Sequence, residues 1–187
     1  TIVTAGHEIQ YAYETLWKLV MFNFSSDVQP QDRNIFSVDP DWTTSWCHCL
    51  VGSADHTSTG LDDESQIEYS AIYTMPNISG TLPGKIACKP PIAMASPSEA
   101  PQGVYIWSAG EAHSFLHCYV CKTTAVGSQA FSYVGDTPKH GDSGAPVFNS
   151  DGQWVGMHVA ATDDGVGFAV RADAVLKHMD GQGFRIK

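Results

Sequence analysis

The stretch that most constrains this chain is Gly141-Asp142-Ser143-Gly144-Ala145-Pro146-Val147-Phe148, in which glycines bracket an Asp-Ser pair just ahead of an apolar strand. Glycine adopts left-handed backbone angles that a Cβ opposes, so Gly141 and Gly144 permit a tight turn that exposes the Ser143 hydroxyl. Such a turn aims the N–H groups of Gly141 and Ser143 at one point, where they would stabilise the oxyanion of a tetrahedral intermediate. The pattern therefore points to nucleophilic catalysis by Ser143. An ordinary hairpin turn is the alternative, against which Asp142, Pro146 and the apolar continuation make the pattern more specific.

The 187 residues are enough for one domain or for two small barrels side by side. Apolar residues make up 43% of the chain and it holds 17 Gly and 10 Pro, a balance that favours many short strands with turns between them. The net charge of −10 supplies no basic footprint for nucleic acid or for an anionic membrane. No apolar run approaches the length of a membrane span.

At the octapeptide the chain resembles the chymotrypsin-like serine proteases. Downstream, Gly156-Met157-His158 resembles their glutamate- or glutamine-selective branch. That branch includes bacterial glutamyl endopeptidases and the 3C-like polyprotein proteases of positive-strand RNA viruses such as arteriviruses and astroviruses. The resemblance is firmest over 103–179. It implies an all-β fold of two antiparallel six-stranded Greek-key barrels with a short C-terminal helix. The N-terminal barrel would take residues 1–89 and the C-terminal barrel, with the helix, residues 90–187. A polypeptide substrate and no cofactor are implied.

Thr1-Ile2-Val3-Thr4-Ala5-Gly6-His7 is similar to the family's run of apolar residues, Thr, Ala, a small residue and His. In that role His7 is the general base that takes the Ser143 proton and returns it to the leaving amine. Family members carry strands ahead of this histidine. The resemblance thus leads us to expect a first barrel lacking its opening strands, or completed by an upstream segment or partner chain, since an unclosed barrel exposes a strand edge.

Glu8–Glu14 reads as a short helical turn, Leu16–Phe24 as a buried strand, and Ile35–Trp42 resembles the strand that precedes the catalytic acid. Glu68, which opens Glu68–Met75, is the acid the resemblance implies; Asp55, Asp62, Asp63 and Asp32 remain alternatives. Ile86–Ile92 resembles the crossing between barrels. Later strands are expected over 103–110, 115–122, 130–134, 154–159 and 167–170. A closing helix is expected over Asp173–Met179, with Gly181 just past its end.

The five cysteines are Cys47, Cys49, Cys88, Cys118 and Cys121. Glu8, Lys139 and His140 stand where secreted relatives place disulfide cysteines, which suggests free thiols in a reducing compartment. That compartment is the host cytoplasm for a viral enzyme, whereas a glutamyl endopeptidase would be secreted. Cys47, Cys49, Cys118 and Cys121 offer four soft ligands for a structural zinc. Two cysteines three apart on a strand face opposite ways, however, and unpaired core thiols are the alternative.

In the chymotrypsin-like fold the residue six before the nucleophile lies at the base of the specificity pocket, and here it is Thr137. Without an aspartate there, cleavage after Lys or Arg is disfavoured. His158 occupies the place of the pocket histidine in Glu- and Gln-selective relatives, and Thr137 would add a hydroxyl donor. A charged His158 favours Glu; a neutral one suits Gln equally. The reading is a serine endopeptidase with Ser143, His7 and Glu68 as its triad, Gly141 and Ser143 as oxyanion donors, and a viral polyprotein as substrate. A secreted glutamyl endopeptidase and a protease fold kept as a non-catalytic scaffold are the alternatives.

Overall fold

Between Gly103 and Ser108 the side chains alternate with a period of two, Val104, Ile106 and Ser108 buried and Tyr105 and Trp107 exposed. That is the signature of a strand with one face on a core. The computed structural model describes residues 2–6, 19–21, 35–37, 47–48, 60–62, 67–72, 74–82, 102–108 and 116–181. Its strands are β1 (Ile2–Thr4), β2 (Leu19–Met21), β3 (Ile35–Ser37), β4 (Cys47–His48), β5 (Tyr69–Ile72), β6 (Gly103–Ser108), β7 (His117–Val126), β8 (Ala130–Gly135), β9 (Pro146–Phe148), β10 (Trp154–Ala161) and β11 (Val166–Arg171). One helix follows, α1 (Ala172–Gly181).

Strands β6 to β11 close into a barrel in the order β10-β11-β8-β7-β6-β9, every pair antiparallel. Closure removes the sheet edges that would otherwise stay unpaired. The interior is filled by Val104, Ile106, Tyr119, Cys121, Phe131, Tyr133, Ala145, Val147, Val155 and Ala169. β7 runs four residues past its expected end at Lys122, through a bulge between Thr123 and Ala125. Its β-branched threonines suit a strand, and Thr124 Oγ1 lies 2.9 Å from Ser132 Oγ across the pair.

β10 and β11 are buried on both faces over Val155–His158 and Gly167–Val170. One face looks into the barrel. The other side carries a second cluster in which Met157 and Val170 pack with Val175 and Met179 of α1 and with Ile67 and Tyr69 of the N-terminal half. The Tyr69 hydroxyl adds a 2.9 Å hydrogen bond to His178 Nδ1. Burial pushes the Tyr69 phenol up to about 12, which keeps its hydrogen in place.

In the N-terminal half, β5 lies between β1 and β4 with Val3 opposite Ala71 and Thr4 opposite Ser70, while β2 pairs with β3. These two small sheets fall within the first expected barrel, whose closure lies outside the described residues, as do the Glu8–Glu14 turn and the 86–92 crossing. The helix begins at Ala172, one residue earlier than expected, and includes Gly181. β11 feeds it without a loop because Arg171 Nε and Nη2 grip the two Asp173 carboxylate oxygens at 2.9 and 2.8 Å.

Met179 ties α1 to both halves and is 1% exposed. Met179→Ala should lower unfolding free energy by about 2–5 kcal/mol. Urea titration should show this as a reduced midpoint with an unchanged slope.

Candidate active site

Ser143 sits, half-buried, in a turn whose flanking glycines take left-handed angles, φ 91° at Gly141 and 87° at Gly144. The turn is closed by the Asp142 N–H donating to Lys139 O at 3.0 Å and the Ala145 N–H donating to Asp142 O at 3.1 Å. It is sewn to β10 by the Gly144 N–H to His158 O at 2.8 Å and the His158 N–H to Ala145 O at 2.9 Å. Among the described residues the N–H groups of Gly141 and Ser143 meet no acceptor. The turn also abuts the end of β1. A Cβ on Gly144 would collide with Thr4 Oγ1 and come within 3.3 Å of the Ala5 nitrogen.

Asp142, between the two open amides, is 1% exposed. A buried carboxylate is costly unless its oxygens are satisfied. Here one oxygen accepts from Ser108 Oγ at 2.6 Å. The other accepts from Tyr119 Oη at 2.6 Å and from the Lys139 N–H at 2.8 Å. Desolvation pushes the Asp142 pKa up, but the Ser108, Tyr119 and Lys139 hydrogen bonds and the His158 charge outweigh it and hold the group below its ordinary value. Burial, aided by the Asp142 hydrogen bond and charge, raises the Tyr119 phenol, so Tyr119 remains a donor.

His158, 2% exposed, has Nδ1 at 2.5 Å from the Tyr133 hydroxyl. Burial holds the Tyr133 phenol well above its usual range, so it keeps its hydrogen. A bulge between His158 and Ala160 interrupts the register with β11 beside this histidine, a feature that re-aims side chains near sites. Thr137, expected at the base of the specificity pocket, lies two residues past the end of β8. Its hydroxyl is 2.8 Å from Gly165 O and 3.3 Å from Gly135 O. A hydroxyl carries one hydrogen, so giving it to a substrate would break the strap to the β10–β11 turn.

His7 lies outside the described residues, as do Asp32, Asp55 and Asp63. Thr4 and Ala5, just ahead of His7, touch the nucleophile turn. Glu68 is half-buried immediately before β5, and the β1–β5 register, continued two steps past Thr4 and Ser70, sets it level with Gly6. Asp62 is exposed, and its carboxylate accepts the Ser128 N–H at 2.7 Å, fastening the Gly60–Asp62 turn to the β7–β8 connection. Cys121 is buried and Cys118 half-buried on opposite faces of β7, both free thiols. Burial first, then the Asp136 charge and Cys118, push the Cys121 thiol up to about 12. Cys47 is in β4, Cys49 and Cys88 lie outside the described residues, and no group of three metal-ligating side chains occurs among the described ones.

Sequence reasoning missed Ser108, Tyr119 and Tyr133. Each is a hydroxyl residue at an inward position of an otherwise apolar strand face, and that mismatch was the available signal.

No protein-family model and no curated protein matches the sequence. Solved structures do match. A Glu endopeptidase superposes with a TM-score of 0.61 at 14% identity, over 96% of this chain and 79% of that one. The inactive form of the protease Rv3671c from M. tuberculosis gives 0.55 at 13%, over 97% and 76%. The HtrA-type protease AlgW, solved with a decapeptide, gives 0.58 at 10%, over 96% of this chain and 47% of its own. The fold is that of the chymotrypsin-like serine proteases.

The depressed pKa of Asp142 fixes a sign. Stability from its ionised form is fully present above the ordinary value of 3.8 and is lost as pH falls through the lower folded value. Ser108→Ala should therefore cost about 1.5–3 kcal/mol at neutral pH. In urea titrations the cost should shrink as pH is taken below 3.8.

Proposed function

We propose that this chain is a serine endopeptidase that cleaves polypeptides after Glu or Gln, with Ser143 as nucleophile, His7 as general base and Glu68 as the acid that orients it. The carrying observation is the turn itself, with Ser143 between left-handed glycines and two N–H groups, those of Gly141 and Ser143, left open beside it. Ser143 Oγ attacks the scissile carbonyl while His7 removes its proton. The two amides take the oxyanion, and His7 protonates the departing amine; water then repeats the sequence on the acyl-enzyme. The contact of Gly144 with Thr4 and Ala5 supports His7 as the base. The β1–β5 register supports Glu68 as the acid beside it.

For specificity, the Tyr133 hydroxyl, 2.5 Å from His158 Nδ1, fixes the orientation of the imidazole. An imidazole N–H can donate to a Gln amide oxygen or to a Glu carboxylate. The likeness to a Glu endopeptidase agrees with an acidic or amide side chain before the cleaved bond. The resemblance to RNA-virus proteases supports a viral polyprotein as the physiological substrate.

A peptide library read by mass spectrometry tests this proposal. New C-termini should be Glu or Gln. His158→Leu should lower kcat/KM for those peptides about 10- to 100-fold through the lost hydrogen bond. Ser143→Ala should lower it by about 10^4-fold or more. Cleavage that survives Ser143→Ala, or cuts confined to Lys and Arg, would refute the reading.

A further inference from the structure

The donors that hold Asp142 come from two other strands. Ser108 is the last residue of β6, Tyr119 lies in β7, and both hydroxyls reach 2.6 Å from the carboxylate. Asp142 stands between Gly141 and Ser143, so anchoring its carboxylate fixes the position of the Cα that joins the two peptides on either side of it. The Asp142 N–H and carbonyl close the turn on Lys139 and Ala145, but among the described residues no acceptor holds the Gly141 or Ser143 amides in place. Left-handed Gly141 opposes no rotation with a Cβ of its own.

Resting on the serine-endopeptidase reading, we infer that Ser108 and Tyr119 are positioning residues for the oxyanion hole: by clamping the two Asp142 oxygens from β6 and β7 they aim the Gly141 and Ser143 N–H groups at the developing negative charge. Neither hydroxyl touches substrate. Their effect is exerted on amides that matter most when the carbonyl oxygen becomes an oxyanion, so their loss falls on the transition state and not on ground-state binding. Tyr119 is itself steadied by His117, whose ring meets it edge-on at 4.4 Å between centroids and whose Nε2 is 3.2 Å from Asp136 Oδ2. Both clamps donate a hydrogen bond to an ionised oxygen, which is the stronger class of hydrogen bond.

The test compares Tyr119→Phe, Ser108→Ala and Ser108→Thr with the wild-type chain on one Glu- or Gln-containing peptide substrate. Two ligands are added, a peptide aldehyde of the same sequence and the cleaved product peptide. The aldehyde adds to Ser143 and places an oxyanion in the hole, whereas the product needs no such stabilisation. In Tyr119→Phe and Ser108→Ala, kcat should fall about 10- to 100-fold with KM within about twofold. Aldehyde affinity should fall by the same factor and product affinity should hold. Ser108→Thr, which keeps the hydroxyl, should recover most of the kcat lost in Ser108→Ala.

If Tyr119→Phe does not fold, the smaller lesion Ser108→Ala decides with the same readouts. Folded variants that keep wild-type kcat, or that lose aldehyde and product affinity equally, overturn the inference. A wild-type chain that cleaves nothing and binds no aldehyde overturns the underlying reading instead, and the two failures are thereby distinguished.

Discussion

The structure depends on one buried carboxylate. Asp142 is buried beside the nucleophile, and a buried ion is tolerated only if its oxygens are fully bonded. Three donors meet that demand: Ser108 from β6, Tyr119 from β7 and the Lys139 N–H from the turn itself. Each constrains the others. β6 and β7 must pair side by side and β9 must pair with β6, both β6 and β7 must carry a hydroxyl at an inward position, and the turn must fold tightly enough to bring Lys139 back. Once those conditions hold, Ser143 has almost no freedom in where it points.

The second constraint is the two-sided burial of β10. Its inner face belongs to the barrel, while Met157 on the other side packs with α1 and the N-terminal sheet. The same strand carries His158, which bonds the nucleophile turn through its backbone and Tyr133 through its ring. A single strand therefore links the N-terminal half, the turn and the proposed specificity residue. Any change that loosens Met157 or Met179 is transmitted along it.

Local pattern made much of this legible in the sequence. The alternation over 103–108, the Gly-Asp-Ser-Gly turn and the β10–β11–helix succession were visible because each is written within a few consecutive residues. The role of Asp142 was not, because its donors lie 34 and 23 residues away and only barrel closure brings them together. Tyr133 escaped for the same reason, being 25 residues from His158. Thr137 was read as a substrate donor from the resemblance, and the acceptor that its hydroxyl meets, Gly165 O, comes from a turn 28 residues on. β7 outran its expected end because its threonines are polar enough to look like a loop yet β-branched enough to remain a strand. The arrangement around His7 is outside the described residues, so the register of β1 on β5 carries what the structure contributes about the base and its acid.

The most direct test of the central claim, that the turn holds an activated serine, is the intact mass of the chain before and after a fluorophosphonate serine probe, with peptide mapping of the adduct. The account predicts a single adduct on Ser143 that is lost in His7→Ala. A folded chain that takes up no probe, or that carries it on another residue, would contradict it.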